Sequence, residues 1–275
     1  MFKFRIIGFT LLMALLGGIF FWHPGGQWLF AAAAPLMTAL AVYECAKMLN
    51  DSGRKNFPLL AAIAHYLCAQ GTLFVPMLPA LVACGAVLGM TAGIVMLFKD
   101  GSRLEKLLNT YGVFLFLTPA FLGLLASYRC DVARAPAGAW LLFLCLATKA
   151  TDTGGYIVGT LTAKLPGGNH KIAPALSPKK SWEGLFGGII LSLAVGFAFF
   201  KFATHAPLWW YLGASAVLSL GSFSGDLAES AVKRMCDVKD SGHWVPGMGG
   251  AFDVLDSFIF NGIVFPILIA VLEMI

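Results

Sequence analysis

Long apolar runs separated by short polar segments set the pattern of this chain. Runs long enough to cross a bilayer as a helix, about 17–25 residues each, fall near 5–22, 28–49, 58–75, 78–98, 110–128, 138–161, 183–203, 207–232 and 255–274. The pattern predicts an all-α fold: a polytopic integral membrane protein with about nine transmembrane helices. The third run is interrupted by Gly71 and meets the fourth through a tight join at Pro76–Pro79. The first run follows Lys3 and Arg5, as a secretory signal would. Its apolar stretch is longer than a usual signal core, and no small-residue cleavage site follows, so a retained helix is expected. No repeat, low-complexity tract or linker marks a boundary. Residues 1–275 are therefore expected to form a single membrane domain, with N-terminal spans over roughly 1–128 and a C-terminal part over roughly 138–275.

Composition supports the membrane assignment. Hydrophobic residues make up 59% of the chain and charged residues 12%, against about 25% charged in a soluble domain. The net charge of +5 comes with no basic tail or arm, so nucleic-acid binding is not expected. The basic residues report orientation instead. With the N-terminus in the cytoplasm, 14 Lys and Arg residues fall in inside segments, and only Arg129 and Arg134 fall in outside loops. This puts the segments 162–182 and 233–254 on the cytoplasmic side, within reach of a water-soluble substrate. The six cysteines are scattered without CxxC spacing, which supports neither a zinc site nor a disulfide framework.

The polar residues are concentrated. Residues Gly221 to Ser257 hold six of the 14 acidic side chains: Asp226, Glu229, Asp237, Asp240, Asp253 and Asp256. Asp226, Glu229, Ser230, Lys233 and Asp237 are spaced to share one helix face. A carboxylate at membrane depth, as Asp226 is expected to be, needs a proton, a cation or a metal. Gly242, Gly247, Gly249 and Gly250 with Pro246 make a turn able to offer backbone N–H groups to an anion, and Asp253 and Asp256 follow at i, i+3. Upstream, Lys149, Asp152 and Tyr156 share a face of the sixth run, next to Gly154 and Gly155. The following segment carries Lys164, Lys171, Lys179 and Lys180, and Ser181 with Glu183 can open the next helix. Oxygen ligands from Asp226 and Asp253 suit a hard cation such as Mg²⁺, which is commonly held by one or two carboxylates plus substrate phosphates. Carboxylates, lysines and a Gly-rich backbone are the parts that phosphoryl or nucleotidyl transfer uses. No P-loop and no His/Cys metal set is present in the sequence.

These residues occur in an order that resembles the phosphatidate cytidylyltransferase (CDP-diacylglycerol synthase) family. The late match runs Ser230-x-x-Lys233-Arg234, Lys239-Asp240-x-Gly242, Pro246-Gly247-x-Gly249-Gly250 and Asp253-x-x-Asp256-Ser257. The earlier match is Asp152-Thr153-Gly154-Gly155-Tyr156, Ser177 to Gly184, and Gly225-Asp226-Leu227. Two positions depart from the family pattern: Met248 stands where His is usual, and Val254 where Arg is usual. Both departures bear on phosphate contact and proton handling. The resemblance implies transfer of a cytidylyl group from CTP to phosphatidate in the bilayer, giving CDP-diacylglycerol and pyrophosphate for phospholipid biosynthesis. It implies Mg²⁺ as cofactor, with room for a second cation.

On that resemblance, Asp226, Asp253, Lys233, Arg234 and Asp256 are the catalytic set, with Asp226 and Asp253 on the metal. The substrate-binding set is Asp152, Tyr156, Lys179, Lys180, Ser181, Ser230, Lys239, Asp240, Gly247, Gly249 and Gly250. The family fold is an all-helical membrane protein that allows a homodimer, in the inner membrane if the source is bacterial. Two other readings compete: a CTP-dependent polyprenol or lipid kinase, and a non-enzymatic cation-coupled transporter. The transporter reading is the weaker, because the polar residues sit almost wholly in the second half of the chain.

Overall fold

The computed structural model describes residues 10, 14–22, 25–72, 101–130, 132–136, 138–203, 205–245, 247 and 249–274. Helices dominate, and among the described residues the only β-pairings are two isolated bridges. In chain order the helices are α1 (Gly25–Asp51), α2 (Pro58–Thr72), α3 (Gly101–Ala126), α4 (Ala139–Thr162), α5 (Trp182–Phe202), α6 (Leu208–Met235), α7 (Ala251–Leu255) and α8 (Phe258–Glu273). Among the described residues, four stretches are long and apolar enough to cross a membrane: Gly25–Asp51, Ser102–Ala126, Trp182–Phe202 and Ala251–Glu273. The all-helical expectation holds and the membrane-competent helices are present, but this count stands below the nine expected spans. The expected span at 78–98 and residues 5–9 and 11–13 of that at 5–22 lie outside the described residues. α2 is described over 15 residues, up to the edge of the described segment, so the expected span at 58–75 is only partly covered. α4 and α6 are long enough, at 24 and 28 residues, but carry the ionisable groups that lower their hydropathy.

The chain divides into two compact units. Unit one comprises Met1–Ala126 and Val232–Leu255, and unit two comprises Ser127–Ala231 and Asp256–Ile275. The region expected to be catalytic therefore contributes to both.

In unit one, α1 packs on α2, α3 and α7, and α2 packs on α3. Pro58 opens α2, where its missing N–H costs nothing. The preceding Asn56 side chain donates to the Ala46 carbonyl at 2.8 Å and ties the connection back to α1.

In unit two, α4 and α5 meet along a glycine seam. A Cβ on Gly188 would lie 2.8 Å from the Thr151 carbonyl, and one on Gly184 would lie 3.0 Å from the Gly155 carbonyl. Glycine at these positions lets two backbones approach, the usual device where apolar burial gives no preference for protein over lipid. α4, α6 and α8 are joined by Asn261, whose side-chain amide donates to Thr148 Oγ1 at 2.8 Å and to the Leu218 carbonyl at 2.9 Å. A fully buried cluster of Trp140, Phe143, Tyr211 and Phe265 fills one end of the unit. The outer face of α5 leaves Trp182, Phe186, Ile190 and Phe197 uncovered by protein.

Two local expectations are corrected. Asp237 does not continue the face of α6. That helix ends at Met235, and Asp237 takes a left-handed conformation (φ 54°) while the Val238 N–H closes on the Lys233 carbonyl at 3.0 Å. Such a reversal satisfies the last carbonyls of a helix, and aspartate tolerates it better than most side chains. Asp253 and Asp256 likewise do not share one unbroken helix. α7 stops at Leu255, and Asp256 and Ser257 form a turn before α8.

Candidate active site

Unit two contains a cavity of about 540 Å³. Of the residues expected at the site, Asp152, Tyr156, Lys179, Lys180, Ser181 and Asp226 line it, together with Lys164 and Lys171. Four lysines on one wall make the cavity cationic. Ser181 caps α5, accepting the Gly184 N–H at 3.2 Å. It is buried, and its hydroxyl also accepts from Asn169 Nδ2 at 3.3 Å. The stretch from His170 to Glu183 is closed on itself by a bridge between Lys171 and Ser181, and by His170, whose Nδ1 lies 2.7 Å from Glu183 Oε1. Lys179 and Lys180 thus hang on a closed loop rather than a free one.

Through Asp152, Lys180 and Asp226 the cavity lining joins a cluster of charged side chains. Lys180 Nζ lies 3.0 Å from Asp226 Oδ2, donates to the Phe223 carbonyl at 3.1 Å and sits 4.5 Å above the Phe223 ring. Lys149 Nζ lies 3.1 Å from Asp152 Oδ2 and donates to Ser257 Oγ at 2.6 Å. Asp152 Oδ1 accepts from Ser222 at 2.9 Å. Asp256 Oδ1 accepts the Ser257 N–H at 2.6 Å, and the Asp256 carboxyl lies against that of Asp226. The alignment is tight because Gly225 has no side chain: a Cβ there would strike the Asp256 carbonyl and come within 3.2 Å of Ser257 Cα.

Asp226 Oδ1 is buried and has no hydrogen-bond partner. A buried carboxylate oxygen without a donor is costly, and a hard cation would satisfy it. Among the described residues, no three His, Cys, Asp or Glu side chains converge closely enough to hold a metal by themselves. Mg²⁺ does not need that, since it takes one or two carboxylates and completes its shell with water and phosphate oxygens. The donor set fits Mg²⁺ bound together with a phosphate ligand. Ser230 is half-buried on α6 and does not line the cavity.

In unit one the Gly-rich turn is organised by Asp253. Its carboxylate pairs with Lys233 Nζ at 3.0 Å and accepts the N–H groups of Ser241 at 3.0 Å and Gly250 at 2.7 Å. Gly247 (φ 72°) and Gly249 (φ 96°) adopt backbone conformations that disfavour side chains, and a bridge joins Val245 to Gly249. Arg234, Lys239 and Asp240 are exposed. Pro246 and Met248 lie outside the described residues, and Val254 is buried. Asp226 and Asp253, expected to share a metal, belong to different units.

The sequence reading missed Glu44. It is 3% exposed on α1, and its Oε2 accepts the Phe252 N–H at 2.9 Å and the Ser241 hydroxyl at 3.2 Å. A signal for it was present: a carboxylate inside an apolar run is costly and rarely idle.

The model of the cytidylyltransferase family matches residues 3–272. Among curated proteins, the chain is similar to one named phosphatidate cytidylyltransferase from Staphylococcus epidermidis, 40% identical over 148 residues, 54% of this chain and 55% of the relative. Proteins of the same name from Staphylococcus aureus and Staphylococcus saprophyticus are 42% and 43% identical over 122 residues, 44% of this chain and 45% of each relative. The chain thus spans about half the length of the curated relatives it matches. With a family model covering nearly its whole length, the chain belongs to the cytidylyltransferase family.

Proposed function

We propose that the chain is a membrane phosphatidate cytidylyltransferase, using Mg²⁺ to transfer the cytidylyl group of CTP to phosphatidate with release of pyrophosphate. The observation that carries this reading is the cationic cavity of unit two. It unites four lysines, the capped start of α5 and an Asp226 oxygen that lacks a partner, in a member of the cytidylyltransferase family.

A phosphate oxygen of phosphatidate attacks the α-phosphorus of CTP. The bond to the bridging oxygen of the β-phosphate breaks, and pyrophosphate leaves with that electron pair. Little of this needs covalent participation by the protein, so positioning and charge neutralisation supply most of the rate. Lys164, Lys171, Lys179 and Lys180 neutralise phosphate charge at the cavity wall. Lys149 holds Asp152 and Ser257 in place beside the cavity. Asp226 and Asp256 would hold Mg²⁺, which supplies charge neutralisation at the transferring phosphate. Asp253 fixes the Gly-rich turn, whose glycines present backbone N–H groups, and Lys233 and the exposed Arg234 add positive charge in unit one. Tyr156, Leu185 and Phe223 give the cavity an apolar wall suited to a lipid substrate. The remaining apolar runs complete a multi-pass protein with a cytoplasmic N-terminus, in the plasma membrane as in a bacterial cell.

The test is pyrophosphate release by the purified protein in detergent with Mg²⁺ and CTP. Release that requires phosphatidate, matched by CDP-diacylglycerol in the same tube, supports the reading. CDP and a phosphorylated lipid would point to a kinase instead.

A further inference from the structure

We infer that Glu44, in the N-terminal half, is a positioning residue for the reaction, acting through the Gly-rich turn that carries Asp253. The inference rests on the cytidylyltransferase reading above.

Two hydrogen bonds converge on this side chain, both within unit one. Oε2 of Glu44 accepts the N–H of Phe252, the residue before Asp253, and the hydroxyl of Ser241. Ser241 is held again from its other side, because its N–H donates to Asp253. The two carboxylates therefore grip the same segment: Glu44 takes its hydroxyl and Asp253 takes its amide. Two glycines make room for the arrangement. A Cβ on Gly242 would strike Glu44 Oε1, and a Cβ on Gly250 would strike Glu44 Oε2 and Ser241 Oγ. These two glycines have ordinary φ values, unlike Gly247 and Gly249, so space for the Glu44 carboxylate is what they provide.

A buried carboxylate in an apolar helix is costly unless its oxygens receive donors. Hydrophobic packing of α7 on α1 would not need one, and Ala251 and Phe252 are already fully buried. The acceptor sets the height and direction of the 241–253 segment, and through it the direction of the Asp253 carboxylate. Groups that hold a site in place commonly change activity by about 10–100-fold when removed.

The experiment compares wild type, E44A and E44Q as full-length protein in detergent, by kinetics and by amide hydrogen exchange of the 236–255 segment. The glutamine retains an acceptor oxygen for the Phe252 N–H. For E44A, kcat is expected to fall by about 10–100-fold with KM for CTP within about threefold, the pattern for an interaction realised in the transition state. Exchange across 241–253 should quicken by about tenfold or more as the segment opens locally. E44Q is expected to stay close to wild type in both. If E44A does not accumulate, E44Q and S241A carry the test, with S241A exchanging faster than E44Q.

An E44A protein with wild-type exchange across 241–253 overturns the inference. So does an E44Q protein that falls as far as E44A, since a charge and not an acceptor would then be at work. If wild type itself makes no CDP-lipid, the functional reading fails, and the exchange comparison still decides whether Glu44 sets the turn.

Discussion

Replacing Lys180 by Met removes the cation facing Asp226 while keeping the length of the side chain. In the structure the pair is 3.0 Å apart, with side chains 16% and 24% exposed. At an effective dielectric of about 20, two unit charges at that distance attract by about 5 kcal/mol before desolvation. Removing one partner of a fully buried pair costs about 3–5 kcal/mol, because the other charge is left uncompensated. Discounted for the partial exposure of both groups, the expected loss is about 2–3 kcal/mol. In a chain of roughly this size each kcal/mol moves Tm by about 2–4 °C, so the variant should melt about 4–12 °C lower. The assay is thermal unfolding in one detergent at one scan rate, with lipid and protein concentrations fixed. The double variant K180M/D226N removes both charges and should recover most of the loss. A K180M protein that melts within about a degree of wild type would refute the reasoning, and so would a double variant less stable than K180M alone.

Four further substitutions test the site and its scaffold. Gly187→Val adds a side chain where a Cβ would strike Val158 and come within 3.0 Å of the Gly154 carbonyl. It should cost about 1–3 kcal/mol by overpacking, whereas Gly213→Ala, with open space around it, should leave Tm unchanged in the same melt. Asp226→Asn should abolish Mg²⁺-dependent turnover while the protein inserts and purifies normally; turnover near wild type would remove Asp226 from the metal site. Asp253→Asn should also abolish turnover, but it leaves Lys233 facing a neutral amide, so it alone of the two should speed proteolysis within 241–253.

The parts of the site that follow one helix were legible in the sequence. Lys149 and Asp152 are three apart on α4, and their pairing at 3.1 Å is what that spacing allows. Ser181 reads as an N-cap from its position before Trp182 and Glu183, and it is one. The Lys180 pairing with Asp226 was not legible, because nothing along the chain relates residues 46 apart. The break at Asp256 was hidden by the apolar residues on both sides, which read as one span. It matters, because it lets Asp256 lie against Asp226 instead of following Asp253 around a helix. Glu44 is hard to read from the sequence because it stands as a single carboxylate in an apolar run, apart from any cluster of polar residues.

The most direct test of the central claim follows the label. The protein is placed in vesicles containing phosphatidate and given Mg²⁺ with CTP labelled at either the α- or the γ-phosphorus. The account predicts that the α-label enters the lipid and the γ-label leaves as pyrophosphate, in equal amounts. Label entering the lipid from the γ-position, or none entering from either position with a well-folded protein, would contradict it.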